Sequence, residues 1–92
     1  MKVLIDEMDD GMDDKLTSLG YEAYSVRKLN VNEHKGLKTD YKVIIHAWEN
    51  DMVIITKDSE CGQACIENGI KCVLIDSEEI LKLAVKKLEE MK

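Results

Sequence analysis

The 92-residue chain contains no phenylalanine and no proline, and only one tryptophan and three tyrosines. A core made from it must be aliphatic. No apolar run approaches the ~20 residues of a membrane span, and the first residues lack the basic region and long apolar stretch of a signal peptide. These absences predict a soluble, cytoplasmic protein with no membrane partner. Neither a G-x-G-x-x-G pattern nor a P-loop occurs, no serine sits in a nucleophile elbow, and neither histidine has an evident triad. Nucleotide-cofactor chemistry and acyl transfer are thereby disfavoured. The cysteines are few and odd in number: Cys61, Cys65 and Cys72. They do not make a secreted disulfide framework, and with His34 they match no ordinary zinc spacing. They read as buried thiols acting as small hydrophobes, Cys61 and Cys65 on one helix face.

Charge is plentiful and unevenly placed. The net charge is −6, which makes a poor general nucleic-acid binder. The first twenty residues carry Asp6, Glu7, Asp9, Asp10, Asp13 and Asp14 against only Lys2 and Lys15. Between Arg27 and Lys42 the balance reverses, with Lys28, Lys35 and Lys38 also basic against Glu33 and Asp40. A basic segment beside an acidic cleft is compatible with holding a phosphate backbone. A solvated mixed-charge surface would look the same.

Periodicity predicts one domain over residues 1–92, with the order strand, helix, strand, loop, helix, strand, helix, strand, helix. The first strand is Lys2 to Ile5. Met12, Leu16 and Leu19 then recur at helical spacing, Asp9 or Asp10 can cap the helix, and Gly20 stands where a terminating glycine belongs. Residues 22–26 read as a short strand and 27–38 as a long loop. Thr39 caps a helix whose apolar stripe is Tyr41, Ile44, Ile45 and Trp48, so Trp48 reads as core and His46 as solvent-facing. The strand 52–56 leads to a helix from Asp58 or Ser59 that ends at Asn68-Gly69. After a strand over 71–75, a helix opening at Ser77 turns Ile80, Leu81, Ala84, Leu88 and Met91 inward, with Glu78 and Lys82 as an exposed pair. This alternation implies an α/β fold in three layers: a mostly parallel four-stranded sheet with helices on both faces.

In such a sheet ligands bind beyond the carboxyl ends of the strands. Asp6 follows the first strand and Asp58 the third. Asp40 and Glu60 each fall in the first turn of a helix that opens at the same level, where the helix dipole also favours acids. Asp58 can cap its helix and stay ionised. Carboxylates crowded in one crevice stay ionised when a divalent cation such as Mg²⁺ or Mn²⁺ neutralises them. The pattern points to a metal-carboxylate site of the kind that cuts a phosphodiester. Glu7 is secondary, because it points away from its neighbour.

The segments "MKVLIDE", "LGYEAYSV" and "GLKTDYKVIIHAWENDMVIITKDSECGQ" resemble the small PIN-like proteins, relatives of the PIN-domain toxins of prokaryotic toxin–antitoxin pairs. Asp6-Glu7, Asp40 and the run Thr56-Lys57-Asp58-Ser59-Glu60 match that pattern, which extends from Met1 to about Ile75. Met8 stands where the family usually has Asn, Tyr21 where it has His, and Cys61 where it has Phe. The resemblance implies a Mg²⁺- or Mn²⁺-dependent ribonuclease, a hydrolase acting on RNA and held inactive by an antitoxin protein. Asp6, Asp40 and Asp58 would ligate the metal, Glu60 would be a fourth ligand or water-orienting base, and Thr56 would fix Asp58. It also implies a homodimer. The departures keep open a PIN-like binding module of weak or lost catalysis, contacting protein or RNA. A receiver-like phosphoacceptor domain ranks third, since no lysine ends a late strand.

Overall fold

The structure, a computed structural model, describes residues 1–6, 8 and 11–91. It contains β1 (Lys2–Asp6), α1 (Met12–Ser18), β2 (Glu22–Ser25), α2 (Val26–Asn32), α3 (Asp40–Glu49), β3 (Met52–Thr56), α4 (Ser59–Glu67), β4 (Cys72–Leu74) and α5 (Ser77–Glu90). The strands form one sheet in the order β2-β1-β3-β4, every pair parallel. The fold is α/β, as the alternation of elements predicts. Glu7 and the expected caps Asp9 and Asp10 lie outside the described residues. No helix of the described residues is long and apolar enough to cross a membrane.

Parallel strands joined by right-handed crossovers place their helices by direction of travel. The step from β1 to β2 runs one way along the sheet, and the steps to β3 and β4 run the other. Hence α1 goes to one face, and α2, α3 and α4 share the opposite one. The second group builds the main core: Leu4, Met52 and Ile54 from the strands meet Val26, Leu29, Val43, Ile44, Ala47, Cys61 and Cys65 from the helices. Alternation sends Val3 and Ile5 to the α1 side, where both are buried.

Local chemistry sets the helix ends. Thr39 accepts a hydrogen bond from Lys42 N–H, Ser25 from Lys28 N–H and Asp58 from Glu60 N–H. Gly20 and Gly69 sit just past their helices at φ 100° and 69°, a conformation open to glycine at little cost. α5 opens at Ser77 as expected, and Asp76 caps it by accepting from Glu79 N–H. Glu78 and Lys82 do approach each other, at 3.9 Å.

Four expectations fail. The strand at 22–26 ends at Ser25, because Ser25 already caps α2, and this helix occupies much of the expected loop 27–38. The α3 stripe is rotated: Val43, Ile44 and Ala47 are buried, whereas Tyr41 and Trp48 are 70% and 72% exposed and His46 is half-buried. Leu19, expected on the inner face of α1, is exposed. Finally, Ile80, Leu81, Ala84, Leu88 and Met91 do not turn into the core, since no residue of α5 is buried.

Candidate metal centre

β1 and β3 lie side by side while their outgoing connections travel to opposite faces, so a crevice opens beyond their carboxyl ends. Asp6 and Thr56, which are register partners, stand at its floor. Asp6 is only 7% exposed, and Thr56 is fully buried. The Thr56 hydroxyl donates to Asp6 Oδ2 at 3.3 Å and accepts from Asp58 N–H at 3.1 Å, tying the β1 acid to the start of α4. The Cys61 thiol, one turn into α4, lies within 4.8 Å of the same carboxylate. Across the crevice, Thr39 fixes the first turn of α3 and so places Asp40.

Three side chains converge. Asp6, Asp40 and Cys61 each offer a ligand atom, and these atoms lie within 4.8 Å of one another. Asp58 and Glu60 do not join that group. Asp58 spends one carboxylate oxygen on Glu60 N–H at 2.9 Å, though its charge is felt at Asp6. Glu60 is exposed on the first turn of α4. Thr56 holds Asp58 through its backbone N–H, beneath the expected cluster.

Burial raises the carboxyl pKa of Asp6 above 3.8. The hydrogen bonds from Cys61 and Thr56 oppose that shift, and the charges of Asp40 and Asp58 add to it. Dehydration is thus a larger cause of the rise than the crowding of acids. Burial also pushes the Cys61 thiol up, with the Asp6 charge second, so the thiol stays protonated. In the sequence Cys61 reads only as a small hydrophobe. Its place three residues after Asp58, one turn further into the same helix, was the signal that it reaches this floor.

The floor opens into a cleft of about 900 Å³ whose walls include Met8, Asp13, Arg27, Lys28, Lys38 and Asp40. The Lys28 ammonium lies 2.8 Å from Asp13 and 3.3 Å from Asp14, joining α1 to α2 across the wall. Asn30 pins the segment after α2 by accepting from Leu37 N–H at 2.6 Å and donating to Leu37 C=O at 3.0 Å. Among the described residues the three thiols and His34 form no ligand group. Asp6 and Asp40 fit a hard divalent cation, which takes a few carboxylate oxygens and keeps water on its remaining positions. No protein-family model, curated protein or solved structure matches the chain.

Proposed function

We propose that this chain is a PIN-like, Mg²⁺- or Mn²⁺-dependent ribonuclease of the cytoplasm, the toxin half of a toxin–antitoxin pair. The observation that carries this reading is the meeting of Asp6, Asp40 and Cys61 at the floor of the β1/β3 crevice. The resemblance of the Asp6-Glu7 and Thr56-Lys57-Asp58 segments to PIN-like proteins supports it further. A divalent cation, when bound, would supply an activated water and neutralise phosphate charge in an in-line displacement.

The chain's own residues do the rest. Asp6 and Asp40 are the ligands, both carried by element ends that the sheet and the Thr39 cap hold in place. Thr56 orients Asp6 and anchors the backbone of Asp58, which caps α4 through one carboxylate oxygen. Asp58 and Glu60 have the weaker claim, as ligands or water-orienting groups at the rim. Arg27, Lys28 and Lys38 line the cleft that an RNA backbone would enter. An antitoxin would act by filling that cleft.

The test is incubation of purified protein with single-stranded RNA and Mg²⁺ or Mn²⁺, with and without chelator. Chelator-sensitive cleavage that disappears in Asp6→Asn and Asp40→Asn supports the reading. Cleavage that ignores both chelator and substitution would falsify it. The second reading is a binding module without catalysis. It is favoured by the commitment of one Asp58 oxygen to capping, which leaves Asp6 and Asp40 as the only acids of the four that meet. RNA or protein binding without metal-dependent cleavage would select it.

A further inference from the structure

The principal packing between elements leaves out α5, and each residue from Ser77 to Met91 is exposed. Yet its sequence is that of a packed helix. On a 100° wheel Ile80, Leu81, Ala84, Val85, Leu88 and Met91 share one arc, opposite Glu79, Lys82, Lys86 and Glu90. The radius of gyration, 14.3 Å, exceeds the ~12 Å of a compact chain this long. A projecting helix accounts for the excess.

A second apolar surface is only partly covered, with Val53 and Ile55 half-buried and Val73 exposed. Met52, Ile54 and Thr56 face the α3–α4 side and are buried, so Val53 and Ile55 face the other way. Val73 of β4, the register partner of Ile55, shares their face and is 46% exposed. α1 packs against β2, at the far side of the sheet. Among the described residues no helix packs over β3 and β4 on the α1 face.

We infer that α5 of one copy of this chain packs its apolar arc across the partly covered β3–β4 face of a second copy, and reciprocally. One molecule carries both halves of the contact, as a two-fold interface requires. Within its own chain, α5 leaves β4 after Ile75 and Asp76 and does not cover the sheet. Its polar side holds Glu78, Glu79, Glu89 and Glu90 against Lys82, Lys86 and Lys87. That balance is wrong for an anionic membrane surface, which selects a Lys/Arg-rich polar face. The size fits as well. Six side chains so exposed present roughly 500 Å² of apolar surface, at the upper end for a monomer. Two reciprocal contacts would bury on the order of 1,500 Å², a standard protein–protein interface.

The test is mass by light scattering on the full chain at tens of micromolar, without metal. The wild type should run as a dimer, and both Leu81→Glu/Leu88→Glu and Val73→Glu should run as monomers with wild-type helix content by circular dichroism. A monomeric wild type overturns the inference. So does a Val73→Glu protein that stays dimeric, because α5 would then pair elsewhere. Collapse of the Leu81→Glu/Leu88→Glu protein's fold would mean that α5 closes over its own sheet, and overturns it too. None of these readouts depends on RNA cleavage.

Discussion

Asp6 and Asp13 are both nearly buried acids on the same cleft, 7% and 8% exposed, yet their surroundings drive them in opposite directions. Asp13 has Lys28 at 2.8 Å, and that hydrogen bond holds its carboxyl below the usual 3.8. Among the described residues Asp6 has no cation beside it. Its partners are a hydroxyl and a thiol, its charged neighbours are Asp40 and Asp58, and dehydration raises its carboxyl. The wall acid is compensated and holds α1 to α2. The floor acid has no compensating cation among the described residues. A buried acid with a partner is part of the scaffold; one surrounded by other acids is, on the function proposed above, a place for a cation.

The largest expected effect would break this contrast at the floor. Asp6→Asn and Asp40→Asn should each lower metal-dependent RNA cleavage by ~100-fold or more, whereas Asp13→Asn should leave most of it. Initial rates at saturating Mn²⁺ measure this, and equal losses in all three variants would erase the distinction.

Apo stability should separate the two acids by sign. Asp13 has a lowered carboxyl, so its contribution is fully present above 3.8 and is lost as pH falls through the lower folded value. Asp13→Asn should therefore reduce Tm at neutral pH and have little effect in strong acid. Asp6 has a raised carboxyl, so its stabilising share is present below 3.8 and is lost as pH rises through the folded value. Asp6→Asn should leave the neutral-pH Tm of chelated protein unchanged or higher. Melts from pH 2 to 8 in chelator decide it, and a Tm loss for both variants at pH 7 would make Asp6 a scaffold acid as well.

Smaller effects should sharpen the picture. Thr56→Val keeps the shape but removes both the donor to Asp6 and the acceptor for Asp58 N–H. It should cost ~1–3 kcal/mol by denaturant titration and weaken metal affinity about 10-fold. Asp58→Ala should cost about 1 kcal/mol through loss of the α4 cap, with a smaller loss of metal affinity than Asp6→Asn. If Asp58→Ala matched Asp6→Asn in metal affinity, Asp58 would belong on the floor.

Much of this arrangement is legible in the sequence because it depends on local rules. Apolar runs place Asp6 and Thr56 at strand ends, Thr39 and Asp58 declare their caps, and Gly20 and Gly69 close two helices. The α/β order then brings Asp6 and Asp40 to one end. What escaped depends on tertiary surfaces. The bulk of Tyr41 and Trp48 dominates the α3 stripe in the sequence, but the sheet accepts the smaller Val43 and Ala47. α2 is only seven residues long, and its two buried anchors, Val26 and Leu29, sit among polar neighbours. For α5 the apolar arc is plain, but amphipathicity says only that a helix has a face to cover, not which surface covers it. Cys61 hid for another reason: a buried thiol reads as packing until its neighbours are known.

The most direct test of the central claim is the shift in Tm on adding Mn²⁺ to chelator-treated protein, measured in parallel on the wild type, Asp6→Asn, Asp40→Asn and Asp13→Asn. Binding to the folded state alone raises Tm with metal concentration. The account predicts a clear rise for the wild type and Asp13→Asn and none for Asp6→Asn or Asp40→Asn. A wild-type Tm indifferent to Mn²⁺ and Mg²⁺, or a rise that survives Asp6→Asn undiminished, would contradict it.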